Sequence, residues 1–164
     1  MIEIKPIEAS QTEEAKQVIA AVCFELWQPQ ATLAEYGKQI EREGGFDDVN
    51  DLQSQYFDNG GTFLVITDNN RVVGTGGVRR LCASVCELKR MWFLPQYRGR
   101  GLGTRLLMQL IEWARDNGFQ TMRLDVADEV RSAPAVRLYE RLGFTRIERY
   151  NESLCTVWME KNIK

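Results

Sequence analysis

The chain has 164 residues, 44% of them hydrophobic and 27% charged, and 21 basic against 23 acidic residues give a net charge of −2. This length and composition predict one globular domain. Without a basic excess or a polybasic run, neither a nucleic-acid nor a membrane partner is expected. No apolar run reaches a transmembrane length and the first residues do not form a signal peptide, so a cytoplasmic protein is expected.

Histidine and cysteine narrow the possible chemistry. The chain has no histidine, which excludes Ser–His and Cys–His nucleophiles. A general base must then be a carboxylate, a tyrosine, a lysine, a cysteine or a chain of waters. The spacing of Cys23, Cys82, Cys86 and Cys155 fits no zinc site. We therefore expect no metal, and we interpret the four cysteines as buried thiols.

The first 60 residues predict one strand followed by helices. Alternating apolar residues over 2–7 indicate a strand. A helical apolar pattern follows and runs to Trp27, shortly before the helix-breaking Pro29. Residues 32–42 favour a second helix. A loop with a short helix over 49–57 completes this part of the chain.

From residue 61 onward the pattern alternates between strands and helices. A hairpin of residues 62–67 and 71–81 is predicted around a turn at 68–70, followed by a third antiparallel strand over 84–94. A helix over 102–114 then leads to a strand over 121–126, which should lie parallel to the third. The remaining predicted elements are a short helix over 135–142 and closing strands over 144–150 and 153–159.

A glycine-rich turn joins the third strand to the long helix. Gly99, Gly101 and Gly103 stand at alternate positions between Arg98 and the helix, and Arg100 lies among them. Glycine allows close approach to the backbone, and a helix N-terminus presents free N–H groups and a positive dipole end. The turn therefore predicts an anion site, best suited to a phosphate.

Two common phosphate loops do not match this turn. A P-loop requires Lys followed by Ser or Thr after its last glycine, and here Thr104-Arg105 follows Gly103. The dinucleotide fingerprint requires G-x-G-x-x-G early in a βαβ unit, whereas this spacing is G-x-G-x-G late in the chain.

The motif Arg98-x-x-Gly101-x-Gly103 resembles the pyrophosphate loop of the GNAT superfamily of acyl-CoA-dependent N-acyltransferases. The segment Ala135-Val136-Arg137-Leu138-Tyr139-Glu140-Arg141-Leu142-Gly143-Phe144 is similar to a second signature of that family. The resemblance covers about residues 61–160, and it is strong because the two motifs occur together in the family's order.

The resemblance implies an α/β fold in a single domain, 1–164, with a mixed, mostly antiparallel sheet of about six to seven strands, splayed at its centre and flanked by helices. Residues 1–60 would form acceptor-side helices, and 61–160 the acyl-CoA-binding core. Acetyl-CoA is implied as co-substrate. The residues implied to bind it are Met91, Trp92, Phe93, Arg98, Gly99, Arg100, Gly101, Leu102, Gly103, Thr104, Ser132 and Ala135.

Three residues are candidates for the chemistry. Tyr139 matches the family tyrosine that protonates the departing CoA sulfur; the alternative is a ring that only packs. Glu87 is a candidate base, or it pairs with Arg79 or Arg80 across the sheet. Asp125 could bind or deprotonate the amine, or cap the next turn. Strict alternation places Glu87, Lys89, Met91 and Phe93 on one face of the strand and Leu88, Arg90 and Trp92 on the other.

These observations predict an N-acetyltransferase that transfers the acetyl group of acetyl-CoA to a primary amine by direct attack in a ternary complex. A small-molecule acceptor is expected, and a homodimer is left open. The alternatives are a protein N-terminal or lysine acetyltransferase, and a sensor module that binds acyl-CoA without turnover.

Overall fold

The computed structural model describes residues 1–164 and contains seven strands and five helices. The strands are β1 Ile2–Pro6, β2 Thr62–Asp68, β3 Arg71–Arg80, β4 Val85–Phe93, β5 Thr121–Val126, β6 Thr145–Ile147 and β7 Val157–Asn162. The helices are α1 Thr12–Trp27, α2 Leu33–Arg42, α3 Asp47–Asn50, α4 Leu102–Asp116 and α5 Ala133–Arg141. None of these helices has both the length and the apolar content needed to cross a membrane.

All seven strands form one sheet in the order β1-β2-β3-β4-β5-β7-β6. Every neighbouring pair is antiparallel except β4 and β5, which are parallel. This one parallel contact follows from the crossover through α4. The mixed, mostly antiparallel sheet confirms the predicted fold class.

The pairing between β4 and β5 is short. It covers Val85 to Glu87 on β4 and ends at the pair Glu87↔Arg123, although β4 continues to Phe93. Beyond Glu87 the two strands diverge, and the side of β4 that faces β5 has no strand partner. The sheet therefore opens at its centre into a slot, as predicted.

β4 contains a β-bulge. Between the pairs Gly77↔Lys89 and Thr75↔Trp92, β3 has one residue and β4 has two. Arg90 lies in the bulge with a φ of 60°, and its carbonyl accepts a hydrogen bond from the Thr75 hydroxyl at 2.6 Å. A positive φ is unfavourable for arginine, so side-chain contacts must stabilise this conformation.

The bulge changes which side chains share a face of β4. Strict alternation predicts that Met91 and Phe93 lie on the face of Glu87, and this prediction is wrong. Both pack with Leu88 against the largest core cluster, whereas Trp92 packs against two smaller clusters. The extra residue shifts the alternation by one position, as a bulge does.

The core lies in three clusters on the sheet. The largest has 22 buried residues and receives the apolar stripes of α4 and α5. The two smaller clusters receive the apolar side of α1. The predicted stripe of α4 is confirmed, since Leu106, Leu107 and Leu110 have no measurable exposure.

The end of the chain differs from prediction. The closing strands are β6 and β7, with a loop over 148–156 where a long hairpin is predicted. In that loop the Tyr150 hydroxyl donates to Glu87 at 2.7 Å, and the Asn151 amide donates to Asp125 at 2.8 Å. Buried carboxylates require donors, so these bonds hold the loop over the sheet.

The cysteine prediction is correct for one residue of four. Cys86 is buried in β4, and burial raises the pKa of its thiol to about 12. Cys82 is exposed in the turn between β3 and β4, and Cys23 and Cys155 are partly exposed.

Candidate active site

The slot between β4 and β5 joins two cavities. One, of about 420 Å³, extends toward the glycine-rich turn, and we call it the cofactor cleft. The other, of about 500 Å³, lies on the side of α3, and we call it the acceptor cavity. Five residues line both cavities: Met91, Trp92, Ser132, Ala135 and Tyr139. The two cavities therefore meet beside the free part of β4.

The turn at one end of the cofactor cleft is built from left-handed glycines. Gly99 and Gly101 have φ values of 70° and 75°, which glycine adopts without strain. A Cβ atom at either position would meet nothing within 4 Å, so the backbone faces open space. The first helical bond of α4 is from the Arg105 N–H to the Gly101 carbonyl at 3.1 Å. The three N–H groups before it have no helical acceptor.

The cofactor cleft is strongly basic in a chain whose net charge is −2. Its charged lining consists of four arginines and one glutamate, which leaves +3: Arg98, Arg131, Arg137, Arg141 and Glu25. Two of these arginines come from α5, where their spacing of four residues places them on one side of the helix. Such a field attracts a polyanion such as the phosphate groups of CoA.

Arg98 ties the turn to both neighbouring elements. Its Nε donates to the Phe93 carbonyl at 3.0 Å, and its Nη1 donates to Glu25 of α1 at 2.7 Å. Arg100 does not line the cleft; its guanidinium lies over the Tyr97 ring at 5.3 Å.

The end of β4 presents a free backbone N–H to the slot. Leu94 donates to Val73 across the β3–β4 pair at 3.0 Å. In an antiparallel pair, consecutive residues point their backbone groups to opposite sides, so the N–H of Phe93 points away from β3. The bond from Arg98 to the Phe93 carbonyl agrees with this orientation.

The acceptor cavity has three cations in its wall, which are Arg79, Lys89 and Arg90. Arg90 donates to Asp48 through two nitrogens at 3.1 and 2.6 Å, and to the Gly45 carbonyl at 2.6 Å. Although burial favours the neutral form of Asp48, Arg90 holds the pKa of this carboxyl below its usual value. This pair fixes the α2–α3 connection over β4 and supports the strained backbone of Arg90.

Glu87 lies beneath the cavity rather than in its wall. Its carboxylate is 1% exposed and accepts from Arg79 Nε at 3.1 Å, with a second guanidinium nitrogen at 3.0 Å. Its other oxygen accepts from the Tyr150 hydroxyl. The predicted alternative of pairing with Arg79 is therefore present in the structure.

Asp125 lines the acceptor cavity and links to Glu87 through two bridges. Lys89 Nζ lies 3.7 Å from Asp125 and 3.9 Å from Glu87, and Asn151 Nδ2 is 2.8 Å from Asp125 and 3.4 Å from Glu87. Burial favours the neutral carboxyl. The Lys89 charge and the donors of the 148–156 loop outweigh this effect and lower the pKa of Asp125.

Tyr139 stands where the two cavities meet. Its side chain is 6% exposed, and its ring contacts Phe144 edge-on at 5.8 Å. Burial, together with the nearby negative charge of Asp125, raises the pKa of the phenol well above its usual range. The phenol is therefore protonated at neutral pH.

Sequence reasoning missed several residues of the site. Lys89 lies two residues after Glu87, and this spacing could have identified it because it places both side chains on one face of the strand. Arg137 and Arg141 could have been found from their helical spacing. The roles of Asp48 and Asn151 have no local signal, because they reach the site from distant parts of the chain, the four-residue helix α3 and the 148–156 loop. Trp92, which lines both cavities, has the one buried side-chain N–H that lacks a hydrogen-bond partner.

Comparison with known proteins places this geometry in a family. The family model described as the acetyltransferase (GNAT) family matches residues 17–144. An uncharacterized N-acetyltransferase of Escherichia coli K12, YjgM, is 36% identical over 120 residues, which is 70% of this chain and 71% of the relative.

Two solved structures share the fold over almost the whole chain. A GNAT-family acetyltransferase of Staphylococcus aureus has a TM-score of 0.83 at 22% identity, with both chains fully covered. The PaiA N-acetyltransferase of Thermoplasma acidophilum, in complex with coenzyme A, has a TM-score of 0.77 at 20% identity and covers 99% of each chain. The sequence match and the shared fold together show that the chain belongs to the GNAT family of acetyltransferases.

Proposed function

We propose that the protein transfers the acetyl group of acetyl-CoA to the primary amine of a small molecule, by direct attack in a ternary complex. One observation carries the proposal. A basic cleft with free backbone N–H groups and a second, charge-balanced cavity meet at Tyr139, beside the unpaired part of β4. This arrangement suits two substrates that react where the cavities join.

The cofactor cleft fits acetyl-CoA. The N–H groups at the start of α4 would bind the pyrophosphate, and the arginines of the cleft would add charge. The free backbone groups of β4 would pair with the pantetheine amides. Ser132 and Ala135, at the start of α5, line the path between the two cavities.

The reaction requires a neutral amine, whose nitrogen attacks the thioester carbonyl. A C–N bond forms, negative charge develops on the carbonyl oxygen, and the C–S bond then breaks. The free N–H of Phe93 is the donor that we assign to that oxygen. The leaving thiolate takes the phenolic proton of Tyr139, the nitrogen releases its excess proton to water as the amide forms, and water returns a proton to the tyrosinate. Because burial raises its pKa, the Tyr139 phenol carries its proton when the thioester binds.

The attacking amine must first lose a proton. We assign this step to Asp125, directly or through water, because it lines the acceptor cavity while Glu87 lies behind it. In this assignment Glu87 holds Arg79 and Tyr150 in place and contributes to the field around Asp125.

The activity can be tested by incubating the protein with acetyl-CoA and a broad panel of amines while free thiol is measured. We expect thiol release that depends on the acceptor and yields an N-acetylated product by mass spectrometry. Tight CoA binding with no turnover across the panel would instead support a sensor module. Turnover confined to protein substrates would support the protein acetyltransferase alternative.

Replacement of Gly101 tests the cofactor cleft. Gly101→Glu should weaken CoA binding by at least about 100-fold, because it places a carboxylate at the anion site. Gly101→Ala is the matched control, since it meets the same φ penalty of roughly 1–2 kcal/mol without adding charge. Calorimetric titration with CoA measures both variants. Equal affinities for them would contradict the placement of the pyrophosphate.

Removal of the Tyr139 hydroxyl tests its role as an acid. Tyr139→Phe should lower kcat by about 100-fold and leave CoA affinity within about twofold of the wild type. The ring remains, so packing against Phe144 is kept. Single-turnover rates separate the chemical step from product release. A variant with wild-type kcat would show that the phenol only packs.

The two carboxylates can be distinguished by isosteric amides. Asp125→Asn should lower kcat/KM by about 100-fold near neutral pH, with a smaller defect at high pH, where the free amine is abundant. Glu87→Gln should have a smaller kinetic effect but cost about 2 kcal/mol of stability, because Arg79 loses its partner. Rates against pH and urea unfolding measure these effects. The reverse ranking of kinetic defects would assign the base to Glu87.

A further inference from the structure

The three cations of the acceptor cavity differ in the hydrogen bonds that they make to the protein. Arg79 is bound by Glu87, and Arg90 by Asp48 and the Gly45 carbonyl. Lys89 is different, because its Nζ makes no hydrogen bond. The nearest carboxylate oxygens are at 3.7 and 3.9 Å, beyond hydrogen-bond distance. Its side chain is 23% exposed and lines the cavity, so its three N–H donors are available to a bound molecule.

The position of Lys89 beside Asp125 indicates what kind of molecule its donors would bind. The ammonium of Lys89 and the carboxylate of Asp125 are 3.7 Å apart in one cavity wall, and Tyr139 lines the same cavity. A small molecule with an amine beside Asp125 would thus have its neighbouring atoms beside Lys89. An α-amino acid carries its amine and its carboxylate on one carbon atom, so the amine can lie at Asp125 while the carboxylate lies at Lys89.

The remaining charges of the cavity favour a neutral zwitterion over a polycation. Arg79 is balanced by Glu87, Arg90 by Asp48 and Lys89 by Asp125, which leaves only the exposed Asp47 without a cation. A polyamine would bring several charges to a cavity with few free anions. A zwitterion adds no net charge and pairs with both members of the Lys89–Asp125 dipole.

We propose that the acceptor is a free α-amino acid, whose carboxylate is bound by Lys89 while its amine lies at Asp125 facing the thioester. This inference rests on the proposed transferase function and adds the substrate class. Lys89 is then a specificity-determining residue, since it recognises a group that takes no part in the bond exchange.

The test compares acceptors that differ only at the carboxyl group. Each of a set of α-amino acids is assayed with acetyl-CoA beside its primary amide and its decarboxylated amine. We expect kcat/KM for the amino acid to exceed that for its amide by about 30-fold, the effect of one charge-assisted hydrogen bond. Lys89→Met should bring this ratio close to one, and Lys89→Arg should restore most of it. Lys38→Met, on the exposed side of α2, is the control and should keep the wild-type ratio.

The outcomes distinguish failure of the Lys89 assignment from failure of the transferase function. A wild-type ratio near one, or a ratio unchanged in Lys89→Met, would overturn the assignment of Lys89 while leaving the transferase function intact. Preference for the amide would also overturn it and favour a peptide N-terminus as acceptor. If no amine of any kind released thiol, the proposed function itself would fail. Because the ratio is taken within one variant, a general loss of stability in Lys89→Met does not change it.

Discussion

The site depends on the point at which β4 stops pairing with β5. The parallel contact ends at Glu87↔Arg123, and β4 continues for six more residues without a partner on that side. Unpaired backbone in the middle of a sheet is costly unless another group binds it. Here the free edge lies where the cofactor cleft and the acceptor cavity meet, so the groups that the sheet leaves unpaired become groups that a ligand can use.

The bulge at Arg90 gives the free edge its two different sides. The shift of one residue turns Met91 and Phe93 toward the core under α4, and Trp92 toward α1. The left-handed backbone of Arg90 is held by Thr75, and its side chain by Asp48 and the Gly45 carbonyl. The same contacts fix the α2–α3 connection as a wall of the acceptor cavity. The contacts that offset the backbone strain at Arg90 therefore also form the wall of the cavity.

The two cavities differ in the charge of their walls. The lining of the cofactor cleft has four arginines and one glutamate, whereas that of the acceptor cavity has three cations and three carboxylates. The buried carboxylates beside the acceptor cavity are paired: Glu87 accepts from Arg79 and Tyr150, and Asp125 accepts from Asn151 and lies near Lys89. Lys89 makes no hydrogen bond, so all three of its N–H donors are available to a ligand.

The sequence by itself determined the order of elements, the glycine turn, the family and the position of Tyr139, because these depend on local spacing and short motifs. It also predicted the splay, through the family resemblance. The tertiary structure decided which side chains share a face of β4. The bulge depends on contacts with β3 and α3, and strict strand alternation does not predict it. It decided that Glu87 is buried behind Asp125, and that Tyr150 and Asn151 complete the site, because those residues come from a loop more than 20 positions away from either carboxylate. Pairing of charges across a fold has no signature in local sequence.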